Sequence, residues 1–401
     1  MRVLLGDGFG VTSRQMAMAL GRAGHDVAVL APPGRPWSGY PRCVVRAHPV
    51  PAFGVDPWAW TAAVEAALVG GDYDVLLPTG DQVAVLARGP ARVTGHGTRL
   101  ALPSFDALRR VAEPGTAAGT LTELALPQPA GTVVVRDPED LRQVADPPLY
   151  VKTVLGARRV DRREQLLRLA EESARDGVFV DGGGVLVQEP APGRIVCAQA
   201  VFDHGRLVAV HAYEELRASA VKRSVVVPEI REHVAMFGGH LGWHGGLSMV
   251  AATAEGGGPV WIDVRPFLGE PANAAASGTD LVGALLAVSS GVGPASMPWG
   301  REGVRTRQAG RALRDAARGG RRRALRELAR LAVRAEPYRD AAEETLSLRA
   351  EPRRIAGRVP RVAALLTVPA RGLARLDRIE AANALSPAAW RRIQAGPPPT
   401  G

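Results

Sequence analysis

The stretch Val260-Trp-Ile-Asp-Val-Arg-Pro-Phe-Leu-Gly269 brings a single acid, Asp263, to the end of an apolar run. Residues 260–264 are β-branched, aromatic or apolar around this acid, and the glycines before them and Pro266 after them are typical borders of a buried strand. A carboxylate inside such a strand is costly unless it is paired, hydrogen-bonded or bound to a metal. Two interpretations of Asp263 are therefore open: an ion pair with Arg265 along the strand, or a ligand of a cation.

The composition is that of an ordinary globular protein. The chain has 401 residues, 46% of them hydrophobic, which suffices for two or three domains with a substantial core. Its two cysteines, Cys43 and Cys197, exclude a disulfide framework and a cysteine zinc site, so a reducing cytoplasm fits best. No apolar run reaches the length of a membrane span, and the first residues lack the pattern of a secretion signal. We therefore expect a cytoplasmic protein without a membrane partner.

The net charge of +10 is concentrated in the Arg-rich region after Arg301. It favours anionic ligands in a general way. The run Arg321-Arg-Arg323 has no aromatic residues interleaved with it, and a solvated helix face is its default interpretation. We expect no nucleic-acid partner.

The first hundred residues alternate between strand and helix patterns. Residues 2–6 and 26–31 are apolar strands, and residues 12–23 between them form an amphipathic helix. The loop Gly6-Asp-Gly-Phe-Gly10 does not match the dinucleotide fingerprint, because its third glycine comes one residue early. These glycines either let the strand turn into the helix or help to bind a substrate. A helix over 58–69 and a strand over 73–78 continue the α/β alternation.

Two further strands carry polar residues at their ends. Leu149-Tyr-Val-Lys-Thr153 ends an apolar strand with Lys152, and a lysine is rarely buried without a partner. Val185-Leu-Val-Gln-Glu-Pro-Ala-Pro-Gly193 is an apolar strand that ends in Gln188 and Glu189 before a Pro-Gly turn. The simpler interpretation of the second stretch is an edge strand with a solvated glutamate.

In their order and spacing, these motifs resemble the ATP-grasp superfamily over about residues 1–290. Within it, the chain is most similar to carbamoyl-phosphate-synthase-like carboxylate-amine ligases of actinobacteria. The resemblance implies a mixed α/β and α+β fold class. It comprises a Rossmann-like pre-ATP-grasp domain (1–102), an ATP-grasp domain of two subdomains around a nucleotide cleft (103–295), and a helical, Arg-rich C-terminal extension (296–401).

The resemblance also implies roles for individual residues. The adenine of ATP would bind Gln188, Glu189 and the backbone of Ala191, and its phosphates would bind Lys152. Mg²⁺ would bind Asp263. Two arginines, Arg217 and Arg265, would be the catalytic cations at the transferred phosphate. Asp81 is a substrate-site candidate, for which simple capping of the following helix is the alternative.

The chain departs from the family pattern where the family holds metal and phosphate. Asp263 stands in place of the usual Glu, Arg265 occupies the Asn position, and Ala251 is predicted at the place of the second acid. Glu113 and Pro114 replace an Asp-Lys pair, and Arg158 and Arg159 follow an eroded glycine loop as phosphate contacts or solvated residues.

Two functions are therefore open. The first is an ATP-dependent carboxylate-amine ligase of a biosynthetic pathway, which works through an acyl phosphate on small-molecule carboxylate and amine substrates. The second is a degenerate relative that binds a nucleotide or metabolite, or assists a biosynthetic enzyme. The extension from Arg301 onward shows amphipathic spacing without a placed polar cluster. We expect it to shield the body or to form a homodimer, and to contribute no catalytic group.

Overall fold

Three β-sheets organise the chain. The computed structural model describes residues 1–33, 40–154, 156–180, 183–217, 220–345 and 359–398. Within these residues, no helix is both long and apolar enough to span a bilayer.

The N-terminal sheet is parallel, with the strand order β3-β2-β1-β4. Strands β1, β2 and β4 are almost entirely buried because helices cover both faces, and their sequences are therefore continuous apolar runs, whereas β3 at the edge is mostly exposed. The strands and helix predicted over residues 2–31 are confirmed within one residue at their ends. The elements are β1 Arg2–Leu5, α1 Val11–Arg22, β2 Asp26–Ala31, β3 Val44–Pro49, α2 Pro57–Val69, β4 Val75–Leu77, α3 Val83–Arg88 and α4 Ala91–Thr94.

Two short helices lead from this sheet to a small antiparallel sheet with the order β5-β8-β6-β7. One face of the small sheet is covered by helices α7 and α8 around Leu141 and Leu166. The other face carries Lys152. The elements are α5 Phe105–Arg109, α6 Pro114–Glu123, β5 Val133–Val135, α7 Pro138–Gln143, β6 Leu149–Thr153, β7 Gly156–Val160, α8 Arg163–Arg175 and β8 Val185–Gln188.

The large sheet has seven strands in the order β13-β12-β9-β10-β11-β14-β15. Neighbouring strands are antiparallel except for the pair β14 and β15. The elements are β9 Arg194–Asp203, β10 Arg206–Arg217, β11 Val221–Val225, α9 Pro228–His240, β12 Gly245–Thr253, β13 Pro259–Arg265, α10 Ala272–Ser277, α11 Leu281–Ser289, β14 Arg305–Arg307 and β15 Ala342–Glu343.

The C-terminal region is mainly helical, as predicted, but it also supplies β14 and β15 to the large sheet. These strands are too short to show a two-residue period in the sequence, and they form because β14 pairs along the open edge of β11 and β15 then pairs with β14. The helices of this region are α12 Ala309–Arg318, α13 Arg321–Ala332, α14 Val359–Thr367, α15 Pro369–Asn383 and α16 Pro387–Ala395.

The last helix returns to the N-terminal part of the chain. Trp390 and Ile393 of α16 are buried in the same hydrophobic core as residues of α2 and α3. Trp58 on α2 donates its indole N–H to the carbonyl of Arg392 at 3.1 Å. The predicted mixed α/β and α+β fold class is therefore confirmed, with the end of the chain packed onto its beginning.

Candidate functional site

Lys152 joins the small sheet to the large one. From β6, its ammonium donates to Gln188 Oε1 on β8 at 2.7 Å and to the carbonyl oxygen of Ile262 on β13. The side chain is 6% exposed, and burial lowers the pKa of Lys152, while Asp263 acts to raise it and Arg265 to lower it. The structure thus brings together four of the predicted site residues, one pair from each sheet.

Asp263 forms an ion pair with Arg265 on the same strand. The Arg265 Nε lies 3.0 Å from the Asp263 Oδ2, and both side chains are partly exposed. The Asp263 carboxylate raises the pKa of Arg265 and so keeps the guanidinium charged. Of the two interpretations of Asp263, the structure therefore shows the ion pair with Arg265. Lys152 is a second cation near the Asp263 carboxylate.

The residue opposite Asp263 is Val250, and the prediction that placed Ala251 there is wrong. A bulge at Ile262 of β13 pairs Val250 with Asp263 and Ala251 with Trp261. Ala251 is fully buried in the core on the other face of the sheet. After a one-residue bulge, the side chains of the strand point to the opposite faces of the sheet from those that strict alternation predicts. A prediction that assumes strict alternation along the strand therefore misses the shift.

The oxygen donors around Asp263 do not fit a two-magnesium site. Val250 is apolar, and the Ser248 hydroxyl already donates to the Phe267 carbonyl at 2.9 Å and accepts from the Gly269 N–H at 3.0 Å. Mg²⁺ requires oxygen ligands. The side chains that face the cleft on β12 and β13 thus offer one carboxylate, which is already paired with Arg265.

The predicted adenine segment lies where β8 leads into β9. The Gln188 amide is occupied on both sides: its oxygen accepts from Lys152, and its nitrogen donates to Thr132 Oγ1 at 3.2 Å. The Glu189 N–H donates to the Ala130 carbonyl at 3.0 Å. Ala191 is partly exposed. In this arrangement Gln188 positions Lys152, whereas the Glu189 side chain is exposed.

The three other predicted arginines lie at different places in the fold. The Arg217 backbone ends β10 and pairs with Val221, but its side chain lies outside the described residues. Arg158 lies opposite Val151 on the helix-covered face of the small sheet and pairs with Glu172 of α8, away from the cleft. Arg159 lies opposite Tyr150, on the same face as Gln188.

Asp81 anchors the C-terminal segment, and the helix-capping interpretation is wrong. Its Oδ2 accepts the backbone N–H of Leu385 at 2.8 Å, whereas α3 begins after Gln82 without a side-chain cap. Burial raises the pKa of Asp81, and the bond from Leu385 and the charge of Arg265 act in the opposite direction.

A buried charged cluster on the large sheet was not predicted. Lys222 is 1% exposed, and its ammonium lies 2.5 Å from Glu270 Oε2 and 3.1 Å from Glu344 Oε2. The Gln308 amide nitrogen donates to the same two carboxylates, and Arg311 Nη1 lies 3.2 Å from Glu270 Oε1. Burial alone would raise the pKa of Glu270, but Lys222 and Arg311 lower it to about 2.

Three members of this cluster, Gln308, Arg311 and Glu344, come from the C-terminal region. The expectation that this region carries no placed polar cluster is therefore wrong. Lys222 and Glu344 are 122 residues apart, and no sequence spacing signals such a contact.

A cavity of about 720 Å³ lies between the small sheet, α6 and α16. Val154, two residues after Lys152, lines it together with Gly115 of α6 and Trp390 of α16. Charged side chains of both signs also line it: Asp106, Arg109, Arg110, Glu113, Glu123, Arg136 and Arg391. Lys152, Gln188 and Asp263 are not among the lining residues, so this space lies beside the four-residue site.

No protein-family model matches the chain, and no curated protein matches it in sequence. Solved structures do match its fold. The biotin carboxylase domain of Hydrogenobacter thermophilus 2-oxoglutarate carboxylase, in complex with MgADP, ADP and bicarbonate, has a TM-score of 0.59 at 14% identity. It covers 76% of this chain and 73% of that chain.

Two further structures give the same result. The Campylobacter jejuni biotin carboxylase in a β,γ-ATP complex has a TM-score of 0.59 at 13% identity, over 74% of this chain and 72% of that chain. The Bacillus licheniformis L-amino acid ligase has a TM-score of 0.56 at 16% identity, over 72% of this chain and 74% of that chain. Both kinds of neighbour are ATP-grasp enzymes. At these identities the likeness concerns the fold, and the conclusion from it is that the chain has the ATP-grasp fold.

Proposed function

We propose that the chain binds ATP between the small and large sheets and uses it to join a carboxylate to an amine. The observation that carries this proposal is the Lys152 ammonium, which reaches from the small sheet to Ile262, next to Asp263. A buried lysine with a lowered pKa at the contact between two sheets is an unusual arrangement for a purely structural residue. A phosphate group in this space would give the lysine the counter-charge that Asp263 alone supplies now.

The base would lie against Glu189 and the backbone near Ala191, and the phosphates would lie at Lys152. Arg265 is the second cation for the phosphates, since it is partly exposed and would exchange its bond with Asp263 for one with phosphate oxygens. Arg217 and Arg159 remain candidates for the same role. Cations aimed at the transferred group stabilise the charge that develops during phosphoryl transfer.

The proposed reaction has two steps. A carboxylate oxygen of the substrate attacks the γ-phosphorus, the bond from phosphorus to the ADP oxygen breaks, and an acyl phosphate forms. The amine nitrogen then attacks the acyl carbon, the bond from that carbon to the phosphate oxygen breaks, and the amine loses a proton. The products are the amide, ADP and inorganic phosphate.

The similarity to an L-amino acid ligase supports small-molecule carboxylate and amine substrates. Mg²⁺ binds through few protein carboxylates when phosphates and water complete its coordination. Asp263 is the residue that we propose for it, once Arg265 has turned to the phosphates. A homodimer, a cytoplasmic location and a biosynthetic role remain predictions.

The second candidate function is nucleotide binding without turnover. It is favoured by the Asp263–Arg265 pair and by Val250 at the position opposite the acid. The two functions share the binding site and differ in whether phosphate is transferred.

Phosphate release from ATP separates the two candidates. The full chain is incubated with ATP, Mg²⁺ and pairs drawn from panels of carboxylates and amines, and nucleotide binding is measured in parallel by calorimetry. The ligase predicts phosphate release that requires both a carboxylate and an amine. Binding without release under any pairing supports the second candidate, and absence of binding refutes both.

A further inference from the structure

Asp203, His204 and His244 form a compact group at the end of the large sheet remote from Lys152. One ligand atom from each of the three side chains lies within 4.8 Å of the other two. The two imidazole rings are stacked, with their centroids 3.9 Å apart and their planes at 12°. On β9, Asp203 is six residues beyond Cys197, which lies in the same row as Val250 and Asp263. At about 3.3 Å per residue, this separates the group from the candidate nucleotide site by about 20 Å.

The backbone at this group is held by the sheet. His204 and Gly205 form the two-residue turn between β9 and β10, and both have positive φ, 48° and 85°, as the tight turns of β-hairpins require. The Gly205 N–H donates to the Trp243 carbonyl, and Gly245 pairs with Phe202. These bonds fix the position of His244 beside the turn, so the two histidines face each other without a flexible loop between them.

The Asp203 carboxylate has one oxygen engaged and one directed at the histidines. Arg206 Nη2 lies 2.9 Å from Oδ2, while Oδ1 lies 3.7 Å from His244 Nδ1. His204 is exposed, whereas Asp203 and His244 are partly buried. The exposed ring can therefore rotate toward the other two ligands while they stay in place.

We infer that Asp203, His204 and His244 bind a divalent transition-metal ion such as Zn²⁺. Two imidazole nitrogens and one carboxylate oxygen are a ligand set that zinc accepts, with a fourth position left to water. At bond lengths of about 2.0–2.1 Å, tetrahedral ligand atoms lie about 3.3 Å apart. The present spacing closes to this value by side-chain rotation. The ion would tie the β9–β10 turn to the start of β12.

The test is a zinc titration of the full-length chain, without an affinity tag and treated with chelator beforehand, followed by calorimetry. The expected result is one zinc ion per chain. His204→Ala and His244→Ala each weaken binding by on the order of tenfold or more, because even residues that only support a metal ligand contribute that much. The double variant abolishes binding. The matched control is His96→Ala, which removes an exposed histidine elsewhere and leaves binding unchanged.

Arg206→Gln should strengthen zinc binding, whereas the two histidine variants weaken it. It releases the second Asp203 oxygen and removes a positive charge, so zinc should bind several-fold more tightly, and Asp203→Asn should weaken binding. Far-ultraviolet circular dichroism confirms that each variant is folded before titration. The inference is refuted if the wild-type chain binds no zinc, or if the folded double variant binds it as the wild type does.

Discussion

Val250 and Asp263 lie directly opposite each other on β12 and β13, and both side chains face the cleft. A carboxylate at position 250 would therefore stand beside the one at 263, which is the arrangement that two shared cations need. Valine at this position leaves Asp263 with Arg265 as its partner. The pair is the clearest structural reason why this side of the cleft differs from a site with two acids.

Val250→Glu combined with Arg265→Asn should create magnesium affinity. The change adds a second carboxylate and removes the competing guanidinium, and two carboxylates with water complete a Mg²⁺ site. Calorimetric titration with MgCl₂ should show saturable binding that the wild type lacks. Ala251→Glu is the matched control, because it places the acid in the core on the opposite face, where an unpaired charge destabilises by several kcal/mol. Equal metal binding by both variants would contradict the register described here.

Lys152→Met should weaken ATP binding by on the order of tenfold or more, about 1.4 kcal/mol, without lowering the stability of the free protein. The ammonium is the proposed phosphate contact, yet its burial is costly in the absence of ligand, as the lowered pKa of Lys152 shows. Thermal unfolding with and without ATP measures both effects. Arg158→Met, on the helix-covered face of the same sheet, should leave ATP binding unchanged. A loss of stability in Lys152→Met equal to its loss of binding would point to a structural role.

Lys222→Met should lower the free energy of unfolding by about 3–5 kcal/mol, because it leaves the buried carboxylate of Glu344 without its cation, while Glu270 keeps Arg311 alone. Urea denaturation measures the change. The exposed pair of Arg142 and Glu139 provides the comparison, and Arg142→Met should cost less than about 1 kcal/mol. Similar losses in the two variants would show that the Lys222 cluster is no better stabilised than a surface pair.

Removal of α16 should destabilise the N-terminal part of the chain. Trp390 and Ile393 are buried against α2 and α3, and a Trp→Ala change in a core costs about 3–5 kcal/mol. A chain that ends at Asn383 should therefore unfold at lower urea than one that ends at Gly396, and Trp390→Ala should reproduce most of the difference. A chain that ends near Pro298 would also lose Gln308 and Glu344, so we expect it to be less stable than the full chain. If the chains that end at residues 383 and 396 unfold at the same urea concentration, this role of α16 is refuted.

Stability should rise with pH between about 4 and 6.5 because of His211. Burial lowers the pKa of His211 to about 4, Asn273 acts to raise it, and Lys222 acts to lower it. Between that value and the usual 6.5, the unfolded chain binds more protons than the folded one, so the folded state gains stability as pH rises and gains no more above 6.5. Over this pH range the contribution of His211 to the free energy of unfolding should rise by about 3 kcal/mol.

The contribution of His211 is isolated by comparison with His211→Gln. Glutamine keeps a hydrogen bond to Asn273 within reach and does not titrate, so the variant should show a flatter dependence of urea stability on pH in this window. His96→Gln, at an exposed position, should follow the wild type. An unchanged slope in His211→Gln would mean that other groups produce it.

Elements with a clear apolar pattern were predictable from the sequence. The strands over 149–153, 185–188 and 260–264 are confirmed, and the Lys152 side chain links them by donating to Gln188 on β8 and to the carbonyl of Ile262, next to Asp263, on β13. The predicted domain boundaries and ligand roles remain predictions, since geometry without a ligand does not assign them.

The features that were missed depend on long-range packing. The bulge at Ile262 shifts the pairing of β13 by a single residue, which no local pattern records. The Lys222 cluster joins segments 122 residues apart, and β14 and β15 become strands only because β14 pairs along the edge of β11 and β15 along β14. In each case the partner, and not the local sequence, determines the structure.

The contacts of α16 have a consequence for the rate of ligand exchange. Arg391 donates to the Gly177 carbonyl beside the small sheet at 2.9 Å, and just before this helix Leu385 donates to Asp81 beside the N-terminal sheet. The end of the chain thus links the small sheet to the N-terminal sheet. If ATP binds as proposed, a movement of the small sheet away from the large one has to break the Arg391 bond or carry α16 along, so the dwell time of the nucleotide would be set partly at a helix outside the proposed base and phosphate contacts.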